Sequence, residues 1–202
     1  LDYSVIQIFK LSFLSDVKIR KSKNKYNLKE FIKLEQIGYF TNNSIDPDRF
    51  AIVGSMFINN CLDYEKIKIV MEVNDNRYLS LYNTLVNKFD EDVFFKSKHS
   101  ERAPAKKVGL KLKTNNRFQL LTTAKHKIEQ SNLLIADEAT QKQMVTFSRR
   151  KNGIYKSSSP NDDLAMAAFN AAVFFLEDDC QNLIEDFLDD NFKDNFDFIV
   201  LS

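Results

Sequence analysis

The chain has 202 residues, 44% of them hydrophobic and 28% charged, and its 29 basic and 28 acidic side chains leave a net charge of +1. Those proportions describe an ordinary globular protein of one domain with room for an appendage; no apolar run reaches membrane-spanning length, and the first residues do not resemble a secretion signal. Two isolated cysteines (Cys61, Cys180), two single histidines (His99, His126) and four glycines argue against a disulfide scaffold, a zinc site or a glycine-rich phosphate loop.

In chain order, Tyr3 to Leu14 is rich in β-formers and roughly alternates, which predicts a strand. The Lys-rich excursion from Asp16 to Asn27 reads as a hairpin loop, and Glu30 to Thr41 as the returning antiparallel strand. Asp46 and Pro47 supply an N-cap and a first-turn proline for a helix running to about Asn60, with Phe50, Val53, Gly54 and Phe57 inward. Lys66 to Val73 is short, β-branched and nearly continuously apolar, as in a strand covered on both faces. A helix over Arg77–Lys88 follows, then a strand near Val93–Lys96 and a hairpin arm over Val108–Leu112. Asn116 to Gln130 is predicted helical, Leu133–Ala136 a strand, and Asp137 the cap of a helix through Phe147. After the Asn152-Gly153 turn and Ile154-Tyr155, a long apolar helix spans Leu164 to Leu176. Strands alternating with helices after an antiparallel pair predict an α/β fold, a mixed sheet with helices on both faces. Residues 1–176 form that domain, and 177–202 an acidic helical tail with Leu183, Ile184, Phe187 and Leu188 on one face.

Charge is segregated along this order. Basic residues dominate from Lys96 to Arg117, and acids dominate from Glu177 to Asp197. A basic cluster suits a polyanion, although a solvated charged loop explains many such clusters. Lys106, Lys107, Lys111 and Lys113 are the candidates for contact with a nucleic-acid backbone.

Three acids carry the chemical argument. Asp162 and Asp163 open the apolar helix, where one carboxylate serves as a cap, while a pair also suits a hard divalent cation. Glu72 ends the apolar strand, and open α/β sheets build sites beyond the carboxyl ends of their strands. Carboxylates from separate segments can hold two Mg²⁺ or Mn²⁺ ions that activate water against a phosphodiester. The competing reading makes the pair a cap and Glu72 a solvated strand end.

A family resemblance bears on that choice. Gly109-Leu110-Lys111-Leu112-Lys113-Thr114, Leu133-Leu134-Ile135, Phe147, Asn152-Gly153-Ile154-Tyr155 and Asn161-Asp162-Asp163-Leu164-Ala165-Met166-Ala167 follow one another in order. Together they resemble the C-terminal half of the nuclease domain of tailed-phage terminase large subunits, the last for the family's His-Asp-Asp-x-x-Met-Ala. Upstream, Ile69-Val70-Met71-Glu72-Val73-Asn74 resembles the strand with the family's middle acid, and Asp2-Tyr3-Ser4-Val5-Ile6 the segment after its first catalytic strand.

The resemblance implies a ribonuclease H-like fold and a two-metal endodeoxyribonuclease that cuts concatemeric double-stranded viral DNA. Glu72 matches the middle acid and one of Asp162 and Asp163 the last. The implied cofactor is Mg²⁺ or Mn²⁺. The implied partners are DNA, the portal protein and an ATPase domain upstream in the same polypeptide, in the cytoplasm of a bacterial host, encoded by phage or prophage. Two departures stand out: Asn161 replaces the usual His, and the strand with the first catalytic Asp precedes the segment that Asp2 matches. The expectation is therefore a nuclease domain without its first catalytic strand, weakly active or inactive. The alternatives are a non-catalytic module of the same fold that binds DNA or the portal, and another ribonuclease H-like nuclease such as a resolvase.

Overall fold

A computed structural model describes residues 4–13, 32–61, 67–73, 77–97, 105, 107–149, 155–157, 161–176 and 196–201. Its main sheet has five strands in the order β3-β9-β1-β2-β6. These are β1 (Ser4–Phe13), β2 (Ile32–Asn42), β3 (Ile67–Met71), β6 (Leu133–Leu134) and β9 (Phe196–Leu201). Strand β1 is antiparallel to both neighbours, whereas β3 and β9 run parallel, as do β2 and β6, so the sheet is mixed.

Alternation along β1 builds two cores. Val5, Phe9 and Leu11 pack on one face with α3 (Thr114–Glu129), α5 (Asp163–Asn170) and α6 (Val173–Leu176). Ile6 and Ile8 pack on the other with α1 (Pro47–Cys61) and α2 (Arg77–Val86). Strand β3 divides likewise, with Val70 on the first face and Ile67, Ile69 and Met71 on the second. Helices therefore flank both faces, as the alternating pattern predicts. In β2 the pairing jumps from Ile8↔Gly38 to Phe9↔Gln36, so Ile37 is a bulge residue, half-exposed at 52%. The extra residue inverts the phase: Ile32, Leu34 and Gln36 are buried before it, and Phe40 packs in the opposite core after it.

Helix α1 begins as predicted, with Asp46 Oδ1 accepting from the Arg49 N–H at 2.9 Å. Other elements differ from expectation. The strand placed near Val93–Lys96 is a 3-10 turn (Glu91–Val93) followed by β4 (Lys96–Ser97), paired to β5 (Lys107–Val108). Helix α4 (Glu138–Val145) stops before Phe147, which opens β7 (Phe147–Arg149) in a hairpin with β8 (Tyr155–Ser157). The single long helix expected over Leu164–Leu176 is two helices. Between α5 and α6 the N–H groups of Ala171, Ala172, Phe174 and Phe175 each reach back three residues, the tighter 3-10 pattern.

The largest correction concerns the acidic tail. Phe196–Leu201, expected to be helical, is an interior strand inserted between β1 and β3. The reason is compositional: Phe-Asp-Phe-Ile-Val-Leu is aromatic and β-branched, and it finds a ladder on each side. Residues 177–195, including the proposed amphipathic face, and the expected loop from Asp16 to Asn27 lie outside the described residues.

A buried polar cluster ties β1 and β2 to α4. Gln36 Nε2 donates to Gln7 Oε1, and Gln7 Nε2 donates to Thr140 Oγ1 at 3.3 Å and to the Leu164 carbonyl at 3.5 Å. The Asp137 N–H donates to Gln36 Oε1 at 2.9 Å, and Asp137 Oδ2 caps α4 through the Thr140 N–H and hydroxyl, both at 2.6 Å. The nearby Asp137 charge, and a hydrogen bond to it, raise the Tyr39 hydroxyl above its ordinary pKa. Gln36→Leu strands the Gln7 oxygen and the Asp137 N–H without partners, which should destabilise the chain by about 1–3 kcal/mol in a urea melt.

Candidate metal and nucleic-acid site

Glu72 follows β3 directly and is held from both sides. Its N–H donates to the Leu201 carbonyl at 3.0 Å, and it bridges Leu110. Leu110 N–H donates to the Met71 carbonyl at 2.7 Å, and Val73 N–H to the Leu110 carbonyl at 3.0 Å. Gly109 makes this approach possible. Its φ of +94° is open to glycine, and a Cβ there would lie 2.1 Å from Val73 Cγ1 and 3.1 Å from the Met71 carbonyl.

The acid pair sits at the start of α5, half-buried, with Asp162 at the N-cap position and Asp163 the first helical residue. Asp162 makes no capping hydrogen bond through its side chain. Gln143 of α4 does that work instead, its Oε1 accepting from the Ala165 N–H at 3.1 Å. Capping therefore does not explain the Asp162 carboxylate. Gln143→Ala should lower stability by about 0.5–2 kcal/mol, while Asp162→Ala should cost less than about 0.5 kcal/mol in the same denaturation assay.

Helix α5 also reaches Glu72. Asn170 Nδ2 donates to Glu72 Oε2 at 2.9 Å. Asn170 is fully buried, and it lies seven residues after Asp163, nearly two helical turns on, so the two share one stripe of the helix. The same spacing separates their backbones by about 10 Å along the axis. Glu72 thus meets the far end of the helix that the aspartates open. Among the described residues, no three His, Cys, Asp or Glu side chains gather as a metal-holding group. The donor types are nonetheless those a hard cation takes, carboxylate oxygens from Glu72 at one end of α5 and from Asp162 and Asp163 at the other.

Lys111 follows Leu110, the residue that bridges Glu72, and Lys107, Lys111 and Lys113 are exposed. Lys106 and Asp2 lie outside the described residues. Asp197, the acid of β9, pairs with Ile67, five residues before Glu72, and so sits at the opposite end of the strand. Arg117 of α3 places Nη2 3.3 Å from Met166 Sδ on α5.

Sequence reasoning missed Asn170, Gln143 and the constraint on Gly109. A signal for Asn170 existed, since it is the one polar residue between Asp163 and Glu177. Compared with family models, curated proteins and solved structures, the chain matches none.

Proposed function

We propose that the chain is the metal-dependent nuclease domain of a phage DNA-packaging terminase, with a ribonuclease H-like fold. One observation carries the reading: the Asn170–Glu72 hydrogen bond ties the carboxyl end of β3 to the helix that opens on Asp162 and Asp163. The α/β architecture, a mixed five-stranded sheet with helices on both faces, is compatible with that fold. Glu72 with Asp162 or Asp163 would hold Mg²⁺ or Mn²⁺. A divalent ion so held supplies an activated water and stabilises the leaving oxygen of a phosphodiester. Lys107, Lys111 and Lys113 would bind the backbone of double-stranded DNA without reading its sequence. The partners in this reading are the portal ring and the motor's ATPase, inside a bacterial host. Among the described residues, no helix is long and apolar enough to cross a membrane.

The test is incubation of the chain with supercoiled plasmid and Mn²⁺. The reading expects weak cutting at most, and any nicked or linear product should disappear with EDTA and in Glu72→Ala. Cutting that persists unchanged in Glu72→Ala would refute the site.

A second reading, a non-catalytic DNA- or portal-binding module, is favoured by the wide spacing of the acids beside exposed lysines. It expects salt-sensitive DNA binding indifferent to metal and to Glu72. In either case Lys111→Glu with Lys113→Glu should weaken DNA binding about tenfold or more at low salt and flatten its salt dependence by about two phosphate contacts.

A further inference from the structure

Asn170 is an anomaly in its own helix. Leu164 to Phe169 and Ala171 to Phe175 are all apolar and buried, yet this fully buried amide interrupts them. Only half of it is satisfied among the described residues: Nδ2 donates to Glu72 Oε2, whereas Oδ1 finds no hydrogen-bond partner there. A buried acceptor without a donor works against folding, so stability alone would favour an apolar side chain there. The one contribution of Asn170 is therefore directional, a donor aimed at Glu72.

We infer that Asn170 is a positioning residue for Glu72: by holding Oε2 it sets the orientation in which the carboxylate is presented to a divalent cation. The inference rests on the nuclease reading, because it presupposes that Glu72 is a metal ligand. Groups that orient metal-binding side chains commonly account for 10–100-fold in affinity, and Asn170 stands in that relation to Glu72.

Calorimetric titration of Mn²⁺ into the whole chain, compared with Glu72→Gln, Asn170→Ala, Asn170→Leu and the Glu72→Gln/Asn170→Leu pair, tests it. Both Asn170 variants should bind Mn²⁺ about 10–100-fold more weakly. The double variant should bind no more weakly than Glu72→Gln alone, a coupling that a merely structural role would not produce. Leucine keeps the buried volume if alanine unfolds the chain. For the unaltered protein, Mg²⁺ should shift the Asn170 side-chain amide resonance, and Glu72→Gln should abolish that shift. Wild-type affinity in Asn170→Leu alongside loss in Glu72→Gln would overturn the inference while leaving the nuclease reading intact, and so would an unmoved amide resonance. Wild-type affinity in Glu72→Gln would overturn both.

Discussion

Gly109→Ala should be among the most damaging single substitutions in the chain, lowering stability by about 3 kcal/mol or more in a denaturant melt. Two independent penalties meet at this position. A non-glycine residue at a φ of +94° carries backbone strain on the order of 1–3 kcal/mol. The new methyl also has no room, with Val73 Cγ1 2.1 Å from it and the Met71 carbonyl at 3.1 Å. Relieving such a clash by shifting packed groups typically costs about 1–3 kcal/mol more. Removing the Val73 methyls separates the contributions: Gly109→Ala in a Val73→Ala background should recover the part due to the Val73 Cγ1 clash and keep the strain and the Met71 carbonyl contact. A Gly109→Ala melt within about 0.5 kcal/mol of wild type would show that the segment does not pack against β3 as described.

The largest functional effect is expected at Glu72. If Glu72 holds the ion as proposed, Glu72→Ala should reduce any Mn²⁺-dependent plasmid nicking by a factor on the order of 100 or more, because a ligand should matter at least as much as the groups that orient it. Folding should survive, since Glu72 lies just past the strand, is partly exposed and contributes its backbone to the ladder regardless of side chain. A circular dichroism spectrum like wild type beside lost nicking separates the chemical role from a structural one. The variant does leave the Asn170 amide without its acceptor, a loss of about 1–3 kcal/mol. The comparison therefore belongs at a temperature well below the melting point of both proteins.

Much of the frame was legible because hydrophobic period reports burial directly. The alternation of Ser4–Phe13 announced β1, the continuous run Ile67–Met71 a strand covered on both faces, and Asp46-Pro47 the start of α1. Strand β9 escaped because Asp and Glu dominate the run leading into it, and nearby apolar residues could be drawn onto a helical face. Its strand character depends on β1 and β3, which are distant in sequence. The two-residue strand β6 falls within the predicted Leu133–Ala136, whereas β4 and β5 are too short for any period to fix their bounds. The site was legible in its residue types and not in its distances. Glu72 and the Asp162–Asp163 pair could be named from the chain. That they meet opposite ends of α5, with Gln143 rather than Asp162 capping that helix, depends on tertiary contacts between segments up to 98 residues apart.

The proposal that Glu72 and the acid pair of α5 together hold divalent cations is tested most directly by Mn²⁺ titration of the wild-type chain, Glu72→Gln, Asp162→Asn and Asp163→Asn. The account predicts saturable binding in wild type, weakened at least tenfold both in Glu72→Gln and in one of the two aspartate variants. Binding that is absent from the wild type, or the same in all four proteins, would contradict it.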